Sequence, residues 1–73
     1  MPIPDMPKWL NEQGEAVSCT EKIKVMQQNM QELFQVAQDA FEDGLLMGCT
    51  EVQLRDYLHK LMNAVENPYS SEN

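Results

Sequence analysis

The amino-acid sequence predicts an all-α protein, an antiparallel helical hairpin with a long helix over residues 19–47 and a short helix over residues 51–66. Two observations predict it: apolar residues recur at helical spacing in both segments, and a glycine followed by a helix cap separates them. A chain of 73 residues forms one small domain with a marginal core. We therefore expect the N-terminal arm, residues 1–17, to pack on the long helix, with residues 68–73 as a flexible tail.

The N-terminal arm shows no helical periodicity. Pro2, Pro4 and Pro7 favour extended backbone at its start. The segment from Asn11 to Gly14 predicts a turn that ends in glycine. The residues on either side of this turn form either a small two-stranded ribbon or an ordered extended arm.

The long helix is predicted by a cap signal and a repeated spacing. Ser18 and Glu21 have the spacing of a capping box. Apolar or small residues then alternate at intervals of three and four, which is a heptad seam: Ile23, Met26, Met30, Leu33, Ala37, Ala40, Gly44 and Met47. Phe34 and Phe41 lie beside the seam and widen the apolar stripe.

Gly48, Cys49 and Thr50 form the predicted hinge between the helices. Glycine can adopt the left-handed conformation that ends a helix. Thr50 and Gln53 have the spacing of a second capping box. A short connection of this kind brings the two helices together as antiparallel neighbours.

The short helix carries its own seam, made of Leu54, Leu58, Leu61 and Val65, and Asn67-Pro68 ends it. The hinge sets the register, in which small residues of the long helix face large residues of the short one. The predicted pairs are Gly44 with Leu54, Ala40 with Leu58, Ala37 with Leu61, and Leu33 with Val65.

The unequal helix lengths leave part of the long helix uncovered. Ile23, Met26 and Met30 lie beyond the reach of the short helix. Burying each of them is worth roughly 1.5–3 kcal/mol, so exposure to water is unfavourable. Either the arm or a second subunit covers this surface. We expect the arm to cover part of it and a homodimer, arranged as four helices, to cover the rest.

Charge and cysteine content narrow the classes of function. The chain has 12 acidic and 5 basic residues, a net charge of -7, which argues against binding nucleic acid or an anionic membrane. The early prolines and the absence of a long apolar run predict a cytoplasmic protein without a secretory signal. Cys19 and Cys49 lie at opposite ends of the long helix, too far apart to pair, so we expect free thiols.

Two features suggest chemistry, and both have a simpler explanation. Cys49 precedes a helix N-terminus, which can favour a reactive thiolate, but the same position suits a hydrophobic staple with Leu54. Asp56 and His59 have the spacing of helical metal ligands, yet the heptad register places both on the outer face. We expect no catalytic, cofactor-binding or metal-binding residues, and no enzyme activity.

The function predicted from these observations is a non-catalytic protein-interaction or regulatory module. It would act as a homodimer, bind a partner protein, or both, through apolar helix faces. The candidate partner surface comprises Met26, Met30, Phe34, Phe41, Leu45, Leu46 and Met62. One alternative is an acidic binder or decoy for a basic protein. A second is a metal- or thiol-dependent activity at Asp56 and His59 or at Cys49.

Overall fold

The computed structural model describes residues 3–69 and is all-α, with two helices that pack against each other. Helix α1 spans Thr20–Leu46 and helix α2 spans Glu51–Asn63. The predicted helical hairpin is therefore confirmed, although α2 ends three residues earlier than expected. Pro68 and Tyr69 form a turn in which the Tyr69 N–H donates to Asn67 Oδ1 at 2.8 Å. The rest of the predicted tail, residues 70–73, and the first two residues of the arm lie outside the described residues.

The chain divides into two compact units, which we call the N-terminal unit (Met1–Val36) and the C-terminal unit (Ala37–Asn73). The N-terminal unit contains the arm and the first part of α1. The C-terminal unit contains the last part of α1, the connection and α2.

Helix α1 begins one residue later than the capping box predicted. The Ile23 N–H donates to the Cys19 carbonyl at 3.0 Å, and Thr20 is the first helical residue. Cys19, and not Ser18, therefore occupies the cap position, so the predicted Ser18 cap is wrong. A thiol is a weak hydrogen-bond acceptor, and this start of the helix lacks the stabilisation that a hydroxyl would supply.

Helix α1 ends in a Schellman motif. The Cys49 N–H donates to the Gly44 carbonyl at 2.9 Å, and the Gly48 N–H donates to the Leu45 carbonyl at 3.0 Å. Gly48 has φ 99, in the left-handed region that favours glycine. These two hydrogen bonds satisfy carbonyls that the end of a helix would otherwise leave unpaired.

Helix α2 begins directly after this turn. Thr50 is extended, with φ -83 and ψ 150, and its side-chain oxygen accepts from the Gln53 N–H at 3.2 Å. Glu51 in the first turn and Lys60 in the last turn both have the sign of charge that the helix dipole favours. The connection between the helices is thus short and hydrogen-bonded at both ends.

Within the C-terminal unit, the closest approach of the helices is at Gly44, which is buried. A Cβ atom on Gly44 would lie 2.6 Å from Leu54 Cδ2, so a larger residue at position 44 would require the Leu54 side chain to move. Ala40, which the heptad spacing predicts to face Leu58, is exposed. Phe41, which is half-buried, is covered by Arg55 at 4.8 Å from its ring centroid. Burying an aromatic ring removes more apolar area from water than burying an alanine, which favours the seam on the Phe41 side.

The arm contains a tight turn in place of a fully extended chain. An isolated antiparallel bridge joins Leu10 and Ala16, and Asn11 organises the turn between them. Asn11 Oδ1 accepts from the N–H groups of Gln13 and Glu15, both at 2.9 Å. The ribbon alternative is therefore realised as one bridge, and the described residues contain no β-strand.

Candidate functional site

The described part of the chain contains no fully buried apolar side chain. This is unexpected for a sequence in which 42% of the residues are hydrophobic. Such residues bury most of their surface in a self-sufficient domain. Much of the apolar surface of both units therefore faces solvent.

The residues of the predicted partner surface occupy both units and differ in exposure. In the N-terminal unit, Met30 and Phe34 are half-buried and Met26 is 38% exposed. In the C-terminal unit Phe41 is half-buried, while the other three are open to solvent: Leu45 at 43%, Leu46 at 87% and Met62 at 46%. Leu46 is the most exposed of the seven and lies in the last turn of α1.

Seven exposed large apolar residues on the two helices and their connection were not among the predicted surface residues: Val25, Leu33, Val36, Met47, Val52, Tyr57 and Leu61. Val25 and Val36 lie off the predicted heptad seam that contains Ile23 and Met30. A second heptad on α1 contains Val36 and is flanked by Val25: Lys22, Met26, Asn29, Leu33 and Val36 follow one another at alternating intervals of four and three.

A surface depression of about 260 Å³ lies at the start of this second heptad. It is lined by Glu21, Lys22, Val25, Met26 and Asn29, all of α1 and all in the N-terminal unit. The last four of these residues have the spacing i, i+3, i+4 and i+7. Four helix residues at this spacing form the hole that receives a side chain from a facing helix in a coiled coil.

Net negative charge is concentrated in the C-terminal unit, which has seven acidic residues and two basic ones. Arg55 pairs with Glu51 at 2.8 Å and Lys60 pairs with Asp56 at 3.1 Å, both within α2. All four side chains are more than half exposed, so each pair contributes only about 0.3–0.5 kcal/mol. The unit therefore keeps an acidic surface despite these pairs.

The residues considered for chemistry do not come together. Cys19 and Cys49 are unpaired and exposed. Asp56 is engaged with Lys60, and His59 lies exposed on the same helix. Across residues 3–69, no group of three or more histidine, cysteine, aspartate or glutamate side chains is arranged to hold a metal ion.

Neither helix of the described part of the chain is long and apolar enough to cross a membrane. Comparison of the chain with models of protein families, with curated proteins and with solved structures finds no match.

Proposed function

We propose that the protein is a non-catalytic interaction module that binds a partner chain through the apolar faces of its helices. One observation carries this proposal: large apolar side chains are exposed in both units, while none of the described apolar residues is fully buried. A helix pair with so little buried apolar area gains stability when another chain covers it.

The exposed side chains are sufficient to support association. Burying an aliphatic or methionine side chain completely is worth roughly 1.5–3 kcal/mol. Leu46 and Met62 of the C-terminal unit are exposed, so a partner that covers them would gain much of this free energy of burial. Methionine is also flexible and polarisable, which suits a surface that adapts to its partner.

We infer that the arm already covers one side of α1 in the N-terminal unit. Ile23 and Met30 are half-buried, although α2 belongs to the other unit. Trp9 is half-buried as well, and its indole nitrogen is covered by protein without a hydrogen-bond partner in the described residues. Because the arm belongs to the same compact unit, it is the segment best placed to cover Ile23 and Met30.

Light scattering at several protein concentrations, together with binding of an apolar fluorescent dye, tests the proposed function. We expect either a mass that rises with concentration or dye binding to the free chain. Leu46→Gln should reduce the dye signal, since Leu46 is 87% exposed. A strict monomer that binds no dye would contradict the proposal.

A second candidate function, an acidic binder for a basic protein, is favoured by the charge of the C-terminal unit. Its seven acidic residues outnumber its two basic ones, and both basic side chains pair within α2. Binding of this kind weakens steeply as salt is added, whereas apolar binding does not. A complex whose affinity is insensitive to salt would therefore reject the acidic alternative.

A further inference from the structure

The depression on α1 in the N-terminal unit has the form of a coiled-coil hole without its knob. Glu21, Lys22, Val25, Met26 and Asn29 line it, and the last four have the spacing of such a hole. Val25 is 54% exposed and Met26 is 38% exposed, so its apolar members face solvent. Leu33 and Val36, further along the same face, are exposed too. These four are all the large apolar residues of α1 that are exposed within this unit.

The charges on this part of α1 distinguish it from the rest of an acidic chain. Residues 25–31 carry no charge, and residues 20–36 contain two lysines and two glutamates. Two copies of a chain with a net charge of -7 repel each other at most contacts. This face is neutral overall. A second copy can therefore approach it without the electrostatic repulsion that opposes contact at the acidic surfaces.

The positions of the charges also select an orientation. Lys22 stands at the beginning of the face and Glu32 near its end. In a parallel pair, Lys22 would face Lys22 of the second copy, and the two Glu32 residues would face each other. In an antiparallel pair, each Lys22 lies beside Glu32 of the second copy. Charge complementarity thus favours the antiparallel arrangement.

We propose that this face of α1 binds a second copy of the same chain in an antiparallel helix pair. In the matching register, Met26 lies opposite Asn29 of the second copy, and Lys22 lies opposite Leu33. Asn29 of each chain then enters the hole of the other, where the second Asn29 can accept or donate a hydrogen bond. A polar pair of this kind fixes the register of a helix pair. The inference rests on the proposed function and names the partner for one of its faces.

Sedimentation of the full chain tests the apolar part of the proposal, using two matched variants. Val25→Gln and Val52→Gln make the same change at exposed helical positions, one beside the hole and one in the first turn of α2. We expect Val25→Gln to raise the dimer dissociation constant by about tenfold or more, because both copies lose apolar contact. Val52→Gln should leave the dissociation constant unchanged.

Charge reversal at low salt tests the orientation. Lys22→Glu and Glu32→Lys should each weaken the dimer by about three- to tenfold, since each removes two opposite-charge pairs. The double variant should restore the affinity, because it exchanges the two charges. Glu32→Lys is the more discriminating of the two single changes. It lowers the net negative charge of the chain, so it would tighten the dimer if only general electrostatic repulsion mattered, whereas loss of the Lys22–Glu32 pairs weakens it.

The outcomes separate this inference from the proposed function. A dimer that resists Val25→Gln and is weakened by Leu46→Gln would overturn the α1 face while leaving the interaction module intact. Single charge reversals without effect would overturn the antiparallel arrangement. A chain that stays monomeric at its highest soluble concentration but binds an apolar dye would overturn the second copy as the partner.

Discussion

At the scale of single residues, Gly44 and Leu54 decide how closely the helices approach in the C-terminal unit. A Cβ atom on Gly44 would lie 2.6 Å from Leu54 Cδ2 and 2.9 Å from Leu54 Cδ1, so leucine would have to move. Glycine in a helix lowers its stability by about 1 kcal/mol relative to alanine. At position 44 the close packing of the two helices offsets this cost.

We therefore expect the effect of Gly44→Ala to change sign with its neighbour. Alone, it should destabilise the protein by about 1 kcal/mol, because overpacking outweighs the gain in helix propensity. In a Leu54→Ala background it should stabilise by about 0.5–1 kcal/mol, since the obstructing methyl groups are gone and the propensity remains. Urea denaturation followed by circular dichroism measures all four chains of this cycle. Equal effects in both backgrounds would show that Gly44 and Leu54 do not touch.

At the scale of elements, the connection between α1 and α2 depends on the backbone of Gly48. Its φ of 99 lies in the left-handed region, and a Cβ atom there would meet nothing within 4 Å. A substitution at Gly48 therefore changes the conformational energy of the backbone and no packing contact.

The matched pair L-Ala and D-Ala at position 48 isolates this backbone term. We expect L-Ala to destabilise the hairpin by about 1–2 kcal/mol, because an L residue is strained at positive φ. D-Ala has the same composition but prefers positive φ, and it should stabilise by about 0.4–1 kcal/mol by restricting the unfolded chain. Chemical synthesis supplies both chains, and their thermal melting curves give the comparison. Equal melting temperatures would show that the turn does not hold Gly48 in this conformation.

The face that α1 turns towards α2 is a second property of the element. Ala40 is exposed, whereas Phe41 is half-buried beneath Arg55. Ala40→Leu should change the free energy of unfolding by less than about 0.5 kcal/mol, and Phe41→Ala should lower it by about 1–3 kcal/mol. Denaturation curves of the two variants check this orientation. A large loss with Ala40→Leu would instead support the seam predicted from the heptad spacing.

At the scale of the whole molecule, the sequence predicts the connection between the helices well, because the two helix ends that it joins depend on local rules. A glycine after the last turn and a threonine before the next helix act through hydrogen bonds to near neighbours, and these bonds form at Gly48 and Thr50. The orientation of α1 is harder to predict. The heptad spacing depends only on the positions of apolar residues and not on their size. It therefore places Ala40 in the seam, although the ring of Phe41 buries far more apolar surface area.

The candidate interaction surface was predicted only in part, for a related reason. Met26 and Leu46, both on the predicted surface, are exposed, but the exposed Val25 lies off the first seam and flanks the second heptad. An apolar position on a helix looks the same in sequence whether it faces the arm, the other helix or solvent. Only the fold separates Met30, which is half-buried, from Met26, which borders the open hole.

The stability of the whole chain should depend on its concentration, because no described apolar residue is fully buried in the single copy. If a second copy completes the fold, dissociation accompanies unfolding and mass action shifts the equilibrium. A chain of 73 residues should then gain about 4 °C in melting temperature for each tenfold rise in concentration. Thermal melts over two decades of concentration measure this slope. Val25→Gln should flatten it while Val52→Gln preserves it, and a slope of zero in the unmodified protein would mean that each copy unfolds alone.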